Sequence, residues 1–223
     1  HWDVLKQIAT SHSTDPFAKV GMAIATGDIY LVRAVHEALK CLPSTACADA
    51  ALSGSLDCLE YVHKLVAFDS HQNVIEASIQ GGSLGCLKFA VEQGYDVPED
   101  ACTNAAKHGR LSCLEYLFNL PVTLTLGDIC WAAAKKGHLQ CLKFAVEIGR
   151  QPSALDMRAA AAGGHLACVE YLHALGVTWD VLTMQEAAYE DRLECLIYLR
   201  EHGCPWDHDT CVDAAAGGSL RCL

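Results

Sequence analysis

A cysteine keeps returning to one place in this chain. It stands at residues 58, 86, 113, 141, 168, 195 and 222, in steps of 28, 27, 28, 27, 27 and 27, and Leu31 holds the place one step before Cys58. Two residues ahead of each member comes Ile29, Leu56, Leu84, Leu111, Leu139, Leu166, Leu193 or Leu220. Three residues behind comes Ala34, Tyr61, Phe89, Tyr116, Phe144, Tyr171 or Tyr198. A period of about 27 over most of 223 residues constrains the fold more than composition can. Each unit must be one supersecondary element that buries its apolar face by stacking on its neighbours. The chain is an array of about eight units.

Each unit reads as two helices. LQCLKFAV places Leu139, Cys141, Leu142 and Phe144 on one stripe and leaves Gln140 and Lys143 outside it. The first helix of each unit is short and alanine-rich, as in ICWAAAKKG, MRAAAAGG and CVDAAAGG. Alanine is the strongest helix former, and its small side chain lets neighbouring helices approach closely. Gly109, Gly137, Gly164 and Gly218 fall between the two helices, where a left-handed residue is needed. Links such as YDVPED, RQPSALD, VTWD and CPWDHD carry turn chemistry. No strand-like alternation occurs, so the fold class is all-α.

AAKKGHLQCLKFAVEIG, AAGGHLACVEYLHALG and AAYEDRLECLIYLREHG resemble the core of the ankyrin repeat, AAxxGHxxxVxxLLxxG, and the resemblance covers nearly all of residues 16–223. The resemblance implies an ankyrin-type α-solenoid of about eight stacked helix pairs. Two departures matter. The family's T-P-L-H start is missing. The period is also about six residues short, and the loss falls in the link that carries the family's β-hairpin finger. Shortened or absent fingers are therefore expected, similar to the short ankyrin-like arrays of protists, algae and large DNA viruses. HWDVL resembles TWDVL at 178–182, so residues 1–15 read as a degenerate N-terminal cap, with Trp2 and Asp3 at its start. The array stops within a repeat and is expected to be part of a longer protein.

The register accounts for most of the 13 cysteines. Seven hold one core position of the second helix, and Cys47, Cys102, Cys130 and Cys211 hold one core position of the first, eleven residues earlier. Other units place Leu, Val, Ile or Met in these slots, and a buried free thiol behaves as a small hydrophobe. There is no C-x-x-C, and an intracellular array needs no disulfide staples. His138 and His165 precede a cysteine by three, but one such pair per unit cannot converge the four or so ligands that zinc requires. Their ring is expected to satisfy loop backbone, the role the resemblance implies for a Gly-His pair. His63, His173 and His202 read as solvated residues of the second helix. Asp191 and Arg192 replace Gly-His in one unit, which puts a side chain at a left-handed turn and predicts that Asp191→Gly stabilises the array. Trp179 and Trp206 precede the cap candidates Asp180 and Asp207 and read as packing between units.

Charge and motif content exclude several classes. The formal charge is −11, which opposes binding to phosphate backbones or anionic lipid. No apolar run is long enough to span a bilayer. There is no phosphate-binding glycine loop, G-x-S-x-G, H-E-x-x-H or EF-hand loop, so neither an enzyme nor a cofactor is expected. Units with LEY or VEY interleave with LKFAVE units, a superperiod of about 55 residues that reads as a duplicated two-unit block. The alternating charges read as a solvated face with opposite signs aligned between neighbours.

Function is then expected on the surface. The resemblance implies that a protein partner lies in the concave groove, touched by exposed residues of the first helix and by the two positions after its paired alanines. Carried over, those two positions are Gln80 and Gly81, Lys107 and His108, Lys135 and Lys136, Ala162 and Gly163, and Tyr189 and Glu190. The expected contact set is Asn104, Lys107, His108, Trp131, Lys135, Lys136 and Tyr189, a basic patch with aromatics that suits a partner surface of acidic or polar groups. Lys88 and Lys143 are expected on the opposite, convex side. The leading reading is a non-catalytic protein-interaction scaffold. Two others are a subunit fixed in a larger multiprotein assembly and the targeting arm of an enzyme complex, such as a ubiquitin-ligase adaptor. An intracellular location is expected, with no compartment indicated.

Overall fold

The computed structural model describes residues 15–66, 73–121, 124–219 and 221–222. Trp2 and Asp3, on which the cap reading rests, lie outside them. The described residues hold fifteen helices and no strand. Eight are first helices: α1 (Pro16–Ala25), α3 (Ala46–Leu52), α5 (Val74–Gly81), α7 (Ala101–Lys107), α9 (Ile129–Lys136), α11 (Ala154–Gly163), α13 (Val181–Tyr189) and α15 (His208–Ala216). Seven are second helices: α2 (Ile29–Leu39), α4 (Leu56–His63), α6 (Leu84–Glu92), α8 (Leu111–Phe118), α10 (Leu139–Glu147), α12 (Leu166–Ala174) and α14 (Leu193–Glu201).

They group into two compact parts, one of residues up to Ala101 with Glu115–Leu124, the other of Cys102–Leu114 with Thr125–Leu223. In the first part, α1, α3 and α5 stack in sequence, and α2, α4 and α6 form a second row beside them. In the other, α9, α11, α13 and α15 stack as one layer and α10, α12 and α14 as the next.

Local chemistry starts and stops these short helices. Asp180 Oδ1 accepts from Thr183 N at 3.1 Å and Asp207 Oδ1 from Thr210 N at 3.2 Å, so both W-D links end in a helix cap. Ser153 and Asp156 form the equivalent box at α11. Gly137 and Gly164 close α9 and α11 with φ of 75° and 78°. Asp191 takes the same left-handed turn with φ 56°. It is not an uncompensated fault: Arg221 donates from Nε to Asp191 Oδ2 at 2.9 Å and from Nη2 to its carbonyl at 3.0 Å.

Cys58, Cys86, Cys113, Cys141, Cys168 and Cys195 are buried beside Leu59, Leu87, Leu114, Leu142, Val169 and the half-buried Leu196. Cys47, Cys102 and Cys130 are buried as well, and burial pushes the thiols of Cys102, Cys130, Cys168, Cys195 and Cys204 up to about 11. Cys211 departs from the expectation and is exposed: among the described residues no further first helix packs over α15. Trp206 departs too. It stays 54% exposed, with the Arg200 guanidinium 5.0 Å from its ring.

Of the histidines read as solvated, His202 is exposed, with Nδ1 2.8 Å from the Tyr198 carbonyl oxygen of its own unit, while His63 and His173 are not simply solvated. His36 Nδ1 lies 3.0 Å from the Tyr61 hydroxyl and His173 Nδ1 2.9 Å from that of Tyr198, each one unit further on. Where the next unit carries Phe89, His63 meets that ring edge-on and bonds the Tyr95 hydroxyl at 2.9 Å. These are contacts between units.

Candidate partner-binding groove

The first helices expose their alanine-rich faces unequally. Along α9, Ile129, Cys130, Ala132, Ala133 and Ala134 are buried, which leaves Trp131, Lys135 and Lys136 facing out. Lys135 and Lys136 sit in the last turn, where a cation suits the negative end of the helix dipole. The Lys135 ammonium is 4.8 Å from the Trp131 ring centroid, a cation–π contact one turn long.

An open groove of about 640 Å³ runs across α9, α11, α13 and α15. Lys135 and Lys136 line it at one side. Leu182, Gln185, Glu186, Tyr189 and Glu190 line it from α13 and the residue after it, and Asp213 from α15. Tyr189 and Leu182 remain 50% and 43% exposed there.

The side chain at the Gly-His position ties consecutive units along the groove floor. His165 Nε2 lies 3.1 Å from the Lys135 carbonyl oxygen, and Arg192 Nε donates to the Ala162 carbonyl at 3.0 Å. Ser219 Oγ donates to Tyr189 O at 2.8 Å. Each satisfies a carbonyl that a helix C-terminus otherwise leaves orphaned. Burial holds the His165 pKa below its ordinary value, and Arg192, His138 and Lys136 push the same way. Ser55 and Ser83 solve a different problem, each accepting from the N–H of its own helix's cysteine.

Two of the carried-over positions are glycines packed against the preceding first helix. A Cβ on Gly163 would stand 2.7 Å from the Lys135 carbonyl oxygen, and one on Gly81 2.6 Å from that of Leu52. Both glycines serve close backbone approach and offer a partner no side chain.

The groove therefore brings together Lys135, Lys136 and Tyr189 from the expected set. Lys107 is exposed at the end of α7, while Asn104 and His108 are half-buried; none of the three lines the groove. Trp131, 42% exposed, borders a second hollow of about 400 Å³ with Asp128, Arg150, Leu155 and Asp156. In the next two units the residue at Trp131's register reaches the following cap aspartate: Arg158 to Asp180 at 3.0 Å and Gln185 to Asp207 at 3.2 Å. Trp131 can make no such bridge, and the hollow lies open beside it.

Sequence reasoning missed Leu182, Gln185, Glu186 and Asp213. The signal was available for Glu186, which lies one turn before Tyr189 on the same helix. Burial pushes the Glu186 pKa up, Arg158 and Lys135 draw it down, and Asp180 and Glu190 raise it further. Arg158 Nε is 3.7 Å from Glu186 Oε1. The groove thus has an acidic side as well as a basic one.

Among the described residues no cluster of His, Cys, Asp or Glu is arranged to hold a metal ion, and no helix is long and apolar enough to cross a membrane. No family model and no curated protein matches the sequence. Among solved structures it is similar to the human ASB11 ankyrin repeat domain, with a TM-score of 0.55 and 19% identity over 71% of this chain and 84% of that one. At that identity the likeness establishes the fold: the chain is folded as an all-α ankyrin repeat array.

Proposed function

We propose that this chain is a non-catalytic interaction scaffold that holds a protein partner in the groove across α9, α11, α13 and α15. The ankyrin fold is generally a protein-interaction module, and this chain supports that use with one observation above others. Lys135, Lys136 and Tyr189 leave a packed alanine layer to line one open groove, although alanine would serve the layer alone. The basic side calls for acidic or polar groups on the partner. A fixed place in a larger assembly, or use as the targeting arm of an enzyme complex, would draw on the same groove and differ in the lifetime of the bound state.

The test is capture of a partner by the native chain and by a Lys135→Glu, Lys136→Glu, Tyr189→Ala variant. The variant loses the partner while its helical circular dichroism and melting stay native. Gln140→Lys, on the exposed side of α10, is the control. Lys143 cannot serve as one, because it packs over Tyr171. Loss of binding in the Gln140 variant with retention in the triple variant would assign the partner to the other face.

A further inference from the structure

We infer that the groove takes an extended partner segment with opposite charge at its two ends, acidic where it crosses α9 and basic where it crosses α13 and α15, with an aromatic or aliphatic residue between. The inference rests on the proposed groove binding and names the chemistry of its occupant.

The charges lining the groove balance. Lys135, Lys136 and Arg192 supply three positive groups, and Glu186, Glu190 and Asp213 supply three negative ones, on a chain whose net charge is −11. They are also sorted. Both lysines belong to the last turn of α9, and the carboxylates belong to α13, the residue following it, and α15. Arg192 also stands on the acidic side, with its Nε held on the Ala162 carbonyl. Its Nη2, 3.9 Å from Glu190 Oε2, and Arg158 Nε, 3.7 Å from Glu186 Oε1, lie beyond hydrogen-bond reach, so both carboxylates keep acceptor oxygens for a partner.

A uniformly acidic segment would satisfy the lysines and then run into three carboxylates. A uniformly basic one would meet the reverse. Like charges brought together in a partly desolvated groove oppose binding, so a segment of mixed sign is selected. The poles meet in the middle, where Lys135 is near enough to Glu186 to draw its pKa down while burial pushes it up. Leu182 and Tyr189 stand exposed beside this meeting point and offer apolar surface where neither charge is wanted.

Helix spacing sets the length. First helices packed about 8–10 Å apart put α13 roughly 16–20 Å from α9. An extended chain advances about 3.3 Å per residue, so the acidic and basic anchors should be about five or six residues apart.

The experiment is selection of a displayed library of random twelve-residue peptides on the native chain, followed by titration of the enriched peptides. The expected peptides carry Asp or Glu and Lys or Arg separated by about five or six residues, with a Leu, Phe, Tyr or Trp between. Their affinity should fall at least tenfold against Lys135→Gln, Lys136→Gln and, separately, against Glu186→Gln, Glu190→Gln. Enriched peptides that are uniformly acidic, bind more tightly to the Glu186→Gln, Glu190→Gln variant and lose affinity with the lysine variant would overturn the two-pole occupant and leave groove binding standing. Peptides indifferent to both variants, or no enrichment at all, would defeat groove binding and the two-pole occupant together.

Discussion

The Lys143 ammonium lies 5.6 Å from the centre of the Tyr171 ring, one unit further along the chain. Lys88 stands at the same distance from Tyr116, and the Arg33 guanidinium is 5.2 Å from Tyr61. The two-unit superperiod in the sequence follows this contact. Where a unit carries Lys or Arg two residues after its Cys or Leu, the next carries Tyr. Where it carries Glu60 or Glu115, the next carries Phe89 or Phe144, a ring with no hydroxyl. Glu170 before Tyr198 breaks the rule, and there His173 takes the hydroxyl. The basic members of the alternation, Arg33, Lys88 and Lys143, thus have rings as partners in the next unit.

A double-mutant cycle tests this. Lys143→Met and Tyr171→Leu should show a coupling of about 0.5–1 kcal/mol in chemical denaturation, the range for a cation–π contact at a partly exposed site. Additive effects would reduce Lys143 to a solvated charge.

Asp191→Gly, expected from the sequence to stabilise, now has two opposed consequences. It relieves a left-handed backbone and removes the carboxylate that accepts from Arg221. The substitution should raise the melting temperature more in an Arg221→Ala background than in the native chain. Arg221 holds the Asp191 pKa below the ordinary carboxylate value, chiefly through this hydrogen bond. A depressed carboxylate pKa contributes stability above the unfolded pKa and loses it as pH falls through the folded one. The difference between backgrounds should therefore be present at pH 7 and shrink at acidic pH. Equal shifts at both would remove Arg221 from the account.

The buried thiols make the array sensitive to base. Five have pKa values raised to about 11 by burial, against 9.0 unperturbed. Between pH 9 and 11 the unfolded chain gives up these protons while the folded chain keeps them. Stability is thus full below the unfolded pKa and falls as pH rises, by about 1.4 kcal/mol per pH unit for each thiol. Cys168→Val with Cys195→Val should flatten the alkaline limb of a melting-temperature profile. A thiol reagent on the native protein should react first at Cys41, Cys211 and Cys222, the three cysteines that are not buried. Rapid labelling of Cys168 or Cys195 would contradict the packing described.

What the sequence shows well is whatever a fixed register carries. Cys168 and Cys195 announce the core because one packing environment recurs every 27 residues, and Asp180 and Asp207 announce helix starts because a cap acts within three residues. Contacts between units are harder to read. His173 reaches Tyr198 and Lys143 reaches Tyr171 only once the rotation from one unit to the next is set, and no local rule supplies it. Exposure of Cys211 is invisible for the same reason: it sits in a core register, and among the described residues no further first helix packs over it. At the groove, the basic side was legible as two adjacent lysines, while the acidic side is assembled from α13 and α15 by stacking.

Gly163 tests how closely the stack and the groove depend on each other. Its position leaves 2.7 Å between a would-be Cβ and the Lys135 carbonyl oxygen, and 2.5 Å to the His165 ring. The carbonyl belongs to helix backbone and cannot rotate away, so Gly163→Ala must push α9 and α11 apart or displace the ring. Either course strains the His165 contact to Lys135 O. Overpacking of this kind costs about 1–3 kcal/mol, more than the gain in helix propensity from Gly to Ala of about 1 kcal/mol. The variant should therefore unfold at lower denaturant, although on an isolated helix the change would stabilise. Because Lys135 is carried on the displaced turn, affinity for a groove-bound peptide should fall as well, while Gly21→Ala in α1, whose Cβ meets nothing within 4 Å and whose backbone is not left-handed, should leave that affinity unchanged. A Gly163→Ala protein of native stability and affinity would mean that the close approach of α9 and α11 is not what shapes the groove.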